Sequence, residues 1–159
     1  MHRTNLNDLS WTEQRSPKGK FCVFRKPVSL ALGGKKDVGT FGGGHPFDLE
    51  QVRVPPGAIN WPYHAHSAQW ELYLVVAGQG EVRTPEGRFP VGPGDCLLHA
   101  PGEAHQLRNT SETEDLLYHV VADHSPADLT EYPDSAKYGA KPQRKTFVMQ
   151  EIDYFSGEE

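Results

Sequence analysis

His64 and His66 stand two residues apart, Glu71 follows shortly after, and His105 lies far downstream. On a strand, residues i and i+2 face the same side, so both imidazoles of His64-Ala65-His66 project together. Glu71 opens the next apolar run after a short turn and can swing back toward them. His105 follows Pro101-Gly102 at the start of another strand. Three imidazoles and one carboxylate can therefore converge inside a barrel. The physical reason to converge them is a divalent transition metal, one per chain. Neutral imidazole is an intermediate ligand and carboxylate a hard one, a mixture that suits Fe, Mn, Ni, Co or Zn. Four protein ligands leave open positions on a six-coordinate ion, and open positions allow chemistry rather than only the stapling of strands. A lone His-x-His is weak by itself; ordinary core or surface histidines are the competing reading.

The elements that must position these groups are short. Phe47 to Val54 alternates apolar and polar residues until Pro55-Pro56-Gly57 stops it. Gln69 to Ala77 is the most apolar run. Gly78-Gln79-Gly80, Pro85-Glu86-Gly87 and Gly92-Pro93-Gly94 then separate Glu81 to Thr84, Arg88 to Val91 and Asp95 to His99. His105 to Asn109 and Leu116 to Ala122 complete the series. Strands of about five residues with turn signals every 8–12 residues predict an all-β, antiparallel sandwich or barrel with little helix. Phe21 to Arg25 reads as a further strand. Ser10-Trp11-Thr12-Glu13 resembles a helix capping box, but Pro17 and Gly19 leave room for one turn at most. Gly42-Gly43-Gly44 lacks the Lys-Ser/Thr of a phosphate-binding loop and reads as a plain loop.

Composition agrees. The 159 residues include 16 glycines and 13 prolines, well above the usual ~7% and ~5%, and so many breakers exclude a helical bundle. Two cysteines exclude a disulfide scaffold. They read as reduced thiols of a cytoplasmic protein, and Met1 to Trp11 lacks the apolar core of a signal peptide. A net charge of −5 without a basic block argues against nucleic acid. No apolar run approaches the ~20 residues of a membrane span.

Gly57, His64, His66, Glu71 and Gly78, then Gly94-Asp95, Pro101-Gly102, His105 and Asn109, resemble the two motifs of the cupin superfamily. Ala100 stands where many relatives carry a proline, and one extra residue separates Gly57 from His64; neither removes a ligand. The resemblance implies a double-stranded β-helix, the jelly-roll barrel, with His64, His66, Glu71 and His105 as metal ligands. The chain then divides into an N-terminal extension with short strands (1–46), the barrel (47–124) and a C-terminal tail (125–159); the apolar residues of Thr146 to Phe155 predict that the tail's end packs on the barrel or a partner subunit. Small bacterial cupins of this kind include sugar-phosphate isomerase-like proteins, and fold-level analogy is a weak warrant for reaction. A metal-dependent isomerase-like or dioxygenase-like enzyme on a small polar molecule is one expectation. A non-catalytic binding or sensing module is the other.

If Glu71 points inward, Tyr73 and Val75 do too, and Leu72, Leu74 and Val76 face out. Both faces of this strand are apolar, so a second subunit is the expected cover, giving a homodimer. Tyr73 and His119 are candidates for a catalytic role, each against the reading of a satisfied structural residue. Tyr73, Arg53 and Trp61 are candidates for substrate contact, Arg53 because it alternates with Val52 and Val54 and would supply a cation for a phosphate.

Overall fold

The turn-punctuated sequence folds into thirteen β-strands, one four-residue α-helix and three single-turn 3-10 helices in the computed structural model, which describes residues 1–159. The strands are β1 (Thr12–Arg15), β2 (Cys22–Pro27), β3 (Phe47–Val54), β4 (Ala65–His66), β5 (Glu71–Ala77), β6 (Gly80–Thr84) and β7 (Gly87–Val91). They continue as β8 (Cys96–His99), β9 (Gln106–Asn109), β10 (Leu116–Asp123), β11 (Asp128–Tyr132), β12 (Lys137–Lys141) and β13 (Lys145–Phe147); helix α1 (Val28–Ala31) follows β2. No helix is long and apolar enough to cross a membrane.

One wall is a six-stranded sheet of order β1-β2-β3-β10-β5-β8. The other is split into β7-β6-β9 and β13-β12-β11-β4. Every strand pairing is antiparallel, and the two walls close into a jelly-roll barrel. Alternation assigns the faces. On β10, Leu116, Tyr118, Val120 and Ala122 are buried while Leu117, His119 and Val121 are only partly covered. Val52 and Val54 on β3 and Tyr73 and Val75 on β5 join the same core. On the outer face of β5 and β8, Leu72, Leu74, Val76 and Leu98 are exposed, Leu98 to 58%. The outward apolar row anticipated from the sequence is therefore bare on the single chain.

Two segments depart from expectation. Ser10 to Glu13 does not form a helical turn. Thr12–Arg15 pairs with Cys22–Arg25 as an antiparallel hairpin, because Pro17 to Gly19 make a turn and a sheet edge is available to the chain. Local capping chemistry loses to cross-strand pairing. The C-terminal segment is more than a tail: β11 pairs with β12 and with β4, setting Thr130 opposite His66. Its last apolar residues do not pack on the barrel. Val148, Met149, Ile152, Tyr154 and Phe155 are all exposed, Tyr154 to 87%.

Tight turns place specific demands on glycine. Gly78 has φ +80°, and a Cβ there would sit 2.2 Å from the Asp115 carbonyl oxygen. Gly57 has φ +68° with open space around the same position. Gly57→Ala is expected to cost only the left-handed backbone term, ~1–2 kcal/mol, and Gly78→Ala distinctly more. Urea denaturation of the two variants checks this; equal losses would show that the Asp115 segment moves aside freely.

Candidate metal centre

The barrel brings the two histidine segments together through the backbone. His64 and His105 form a reciprocal bridge, with His64 N–H donating to the His105 carbonyl (3.2 Å) and His105 N–H to that of His64 (2.8 Å). His66 sits on β4 and Glu71 opens β5. Nitrogen and carboxylate atoms of His64, His66 and Glu71 lie within 4.8 Å of one another. His105 completes the group: its Nε2 is 2.9 Å from Glu71 Oε2, and its ring lies 4.6 Å, centroid to centroid, from that of His64.

The imidazoles are oriented from behind. His64 Nδ1 lies 2.8 Å from the Pro62 carbonyl, His105 Nδ1 3.0 Å from the Glu103 carbonyl, and His66 Nδ1 2.6 Å from Asp128 Oδ2. Carbonyl and ionised carboxylate oxygens only accept, so each Nδ1 must carry the proton and donate it. A neutral ring then has a bare lone pair at Nε2. His105 aims that lone pair at a carboxylate oxygen 2.9 Å away, while Tyr73 Oη donates to the same oxygen from 2.9 Å. Two electron-rich atoms at that distance need a cation between them, either a proton or a metal ion. Three nitrogens and a carboxylate arranged in this way fit a divalent transition metal.

The electrostatics follow from burial. Desolvation, reinforced by neighbouring His105, holds the His64 imidazole down at about 3. His99, stacked on His105 at 3.9 Å between centroids, is likewise held at about 3 by burial and then by His105. Burial pushes the Glu71 carboxyl up, but when a proton fills the gap to His105 Nε2 the resulting hydrogen bond and ring charge outweigh burial and hold Glu71 well below the usual carboxylate range. Tyr73 is pushed well above the ordinary phenol by burial and then by Glu71; its hydroxyl remains a proton donor.

The centre lies in a cavity of about 480 Å³, within the range of small-molecule sites. Tyr73 and Trp61 line it. His119 does not. Tyr118, Val120 and Ala122 take the inward positions of β10, so His119 is on the outer face with Nε2 3.3 Å from Gln51 Nε2. Arg53 is also outward, because Val52 and Val54 occupy the inward positions. Its guanidinium lies over Trp11 and Phe24 (5.1 and 4.3 Å) and meets Asp115 at 3.2 Å.

The cavity's polar groups come from elsewhere. Asp48 and Glu50 continue inward the alternation that Val52 and Val54 began on β3. Ala122 faces both Asp48 and Glu71 across the sheet, and Val120 faces both Glu50 and Tyr73. Arg25 grips Glu50 with two N–H groups, and His124 Nε2 stands 3.2 Å from Asp48. Lys36, Lys137 and Lys141 line the mouth. The Asp48-x-Glu50-x-Val52 alternation was a readable signal; the three lysines carried none, since their segments meet only in the folded chain.

Residues 50–122 match the family model described as Cupin domain. An oxalate-binding protein of Thermotoga maritima is 28% identical over 64 residues, 40% of this chain and 52% of that protein. The match thus spans about half the length of this curated relative. Among solved structures, a protein of Acidithiobacillus ferrooxidans provisionally described as a sugar phosphate isomerase superposes with a TM-score of 0.77 at 17% identity, over 93% of this chain and 92% of its own. A cupin-superfamily sugar phosphate isomerase of Silicibacter pomeroyi gives 0.74 at 21%, over 94% and 92%. The polyketide cyclase RemF of Streptomyces resistomycificus gives 0.60 at 24%, over 79% and 80%. These likenesses show the fold.

His64 and His99 make metal-free stability depend on pH. Their folded-state values of about 3 lie below the ordinary 6.5, so the unfolded chain takes up protons first as pH falls. Stability is full above 6.5 and is lost progressively down to about 3. Urea unfolding between pH 7.5 and 5.5, above the carboxylate range, is expected to show this loss. His99→Phe, which keeps an aromatic ring against His105, is expected to flatten the slope; an unchanged slope would show that His99 protonates freely in the fold.

Proposed function

We propose that this chain, which carries a cupin-type domain, binds one divalent transition metal through His64, His66, Glu71 and His105 and is a metal-dependent enzyme acting on a small anionic molecule. The observation that carries the metal is the His105 Nε2 lone pair facing Glu71 at 2.9 Å while its Nδ1 proton is committed to the Glu103 carbonyl. The bound ion would supply Lewis-acid polarisation of a substrate oxygen.

The chain's own residues do the rest. Lys36, Lys137 and Lys141 at the mouth would hold an anionic end such as a phosphate. Glu50 is committed to Arg25. Asp48, across Ala122 from Glu71, is the carboxylate left to accept a substrate proton, with His124 behind it at 3.2 Å. Tyr73 Oη keeps its proton against Glu71 and closes one wall. Three mouth cations favour a sugar-phosphate isomerase-like role over a dioxygenase-like one, and proteins described as sugar phosphate isomerases share the fold. A non-catalytic binding module is the second reading, favoured by the match to an oxalate-binding protein; it predicts ligand binding without turnover.

The bare outer face of β5 and β8 supports a homodimer, since an uncharged apolar row is self-complementary about a two-fold axis. The free thiols of Cys22 and Cys96 support a reducing, cytoplasmic setting.

Elemental analysis of the purified protein is expected to find about one equivalent of transition metal per chain, lost in His64→Ala/His66→Ala with the fold retained. Wild-type protein that stays metal-free after reloading would overturn the metal reading. Lys36→Gln/Lys137→Gln should keep the metal and lose ~10-fold or more in affinity for a sugar phosphate, ~1.4 kcal/mol, by calorimetric titration. Leu74→Glu should turn a sedimenting dimer into monomer.

A further inference from the structure

His66 differs from the other two imidazoles in what stands behind it. Pro62 and Glu103 offer backbone carbonyls two residues from their histidines, whereas His66 uses the side chain of Asp128, 62 residues away. Asp128 opens β11, beyond the 50–122 segment that matches the cupin family. Asp128 as a whole is 5% exposed. Oδ1 accepts the Ala68 backbone N–H at 3.0 Å and the Ser67 hydroxyl at 3.3 Å. With Oδ1 tethered to the backbone, the carboxylate cannot rotate, and Oδ2 is presented to His66 Nδ1 at 2.6 Å. Thr130 Oγ1 donates to Oδ2 from 3.4 Å, and Lys141 Nζ lies 3.9 Å from it.

We infer that Asp128 is a positioning residue that fixes the tautomer and ring angle of His66, so that the C-terminal strand β11 completes the metal centre from outside the cupin motifs. An acceptor-only group at Nδ1 forces the single imidazole proton there and leaves Nε2 bare. That Nε2 is turned into the cavity, 3.8 Å from Glu71 Oε1. Carboxylate–histidine pairs of this type strengthen and orient the metal ligand, and their loss costs ~10- to 100-fold in metal affinity. The consequence for metal rests on the function proposed above; the tautomer does not.

Asp128→Asn is the discriminating variant. The Ala68 N–H still needs an acceptor, so the new amide turns its oxygen to the Oδ1 side and its NH₂ toward His66. Donor then faces donor, and the ring must move its proton to Nε2, the position that has to bind metal. A residue that only anchored β11 to β4 would alter stability and leave the tautomer alone. Two-bond ¹H–¹⁵N correlation of the full metal-free chain at pH 8 is expected to show His66 protonated at Nδ1 in wild type and at Nε2 in Asp128→Asn. Competition of Zn²⁺ against a chelating dye is expected to show a 10- to 100-fold weaker site in that variant.

Asp128→Ala provides a second reading should the Asn variant fail to fold; it removes the forcing acceptor and is expected to give a mixture of tautomers. An unchanged Nδ1 tautomer in either folded variant overturns the inference, as does wild-type Zn²⁺ affinity in a folded Asp128→Asn. A tautomer switch in a protein whose wild type binds no metal would support Asp128's role and overturn the metal reading instead.

Discussion

Three buried imidazoles each donate an Nδ1 proton to an oxygen behind them, and the rest of the centre depends on that commitment. Desolvation alone would leave neutral rings free to choose a tautomer. The Pro62 and Glu103 carbonyls and the Asp128 carboxylate remove the choice and turn bare Nε2 atoms toward Glu71. The Glu71 carboxylate accepts the Tyr73 hydroxyl at 2.9 Å and faces His105 Nε2 at the same distance, so its burial calls for a cation between it and that ring. A cluster with this many lone pairs is destabilised without a cation and well suited to hold one, so its geometry and its chemistry have a single origin.

The sheet converts that cluster into a cavity. Because side chains alternate across each strand, the register of β3, β10 and β5 lays out successive rows: Asp48, Ala122 and Glu71; then Glu50, Val120 and Tyr73; then Val52, Tyr118 and Val75. The first row is polar around a small alanine, and the last is part of the apolar core. One end of the barrel is thereby packed and the other open. The same register sends Arg53 and His119 outward, however suitable their chemistry. The lysines of the mouth arrive on a loop after α1 and on β12, so the two segments flanking the cupin motifs shape what can enter.

Much of this was legible in the chain. β3 occupies the Phe47 to Val54 alternation residue for residue, and β5 to β10 lie close to the strands marked out by Gly and Pro turns. Inward Tyr73 and outward Leu72 and Leu74 followed from period two. Reading failed where pairing partners were distant. Ser10 to Glu13 looked like a capped turn because its capping residues are local, whereas the β2 partner of Thr12–Arg15 lies past Pro17-Gly19.

By itself the sequence determined the strand period, the turns, and the residue types and spacing of two histidine segments, because these depend on neighbours within a few residues. Which side chains share the cavity was decided by the tertiary structure. Asp128 behind His66, Lys141 beside it and Lys36 across the mouth are brought together by sheet pairing and loop closure over dozens of residues, and no local pattern encodes such a meeting. The division follows from range: propensity and alternation act along the chain, whereas hydrogen-bond partners and electrostatic neighbours are set through space.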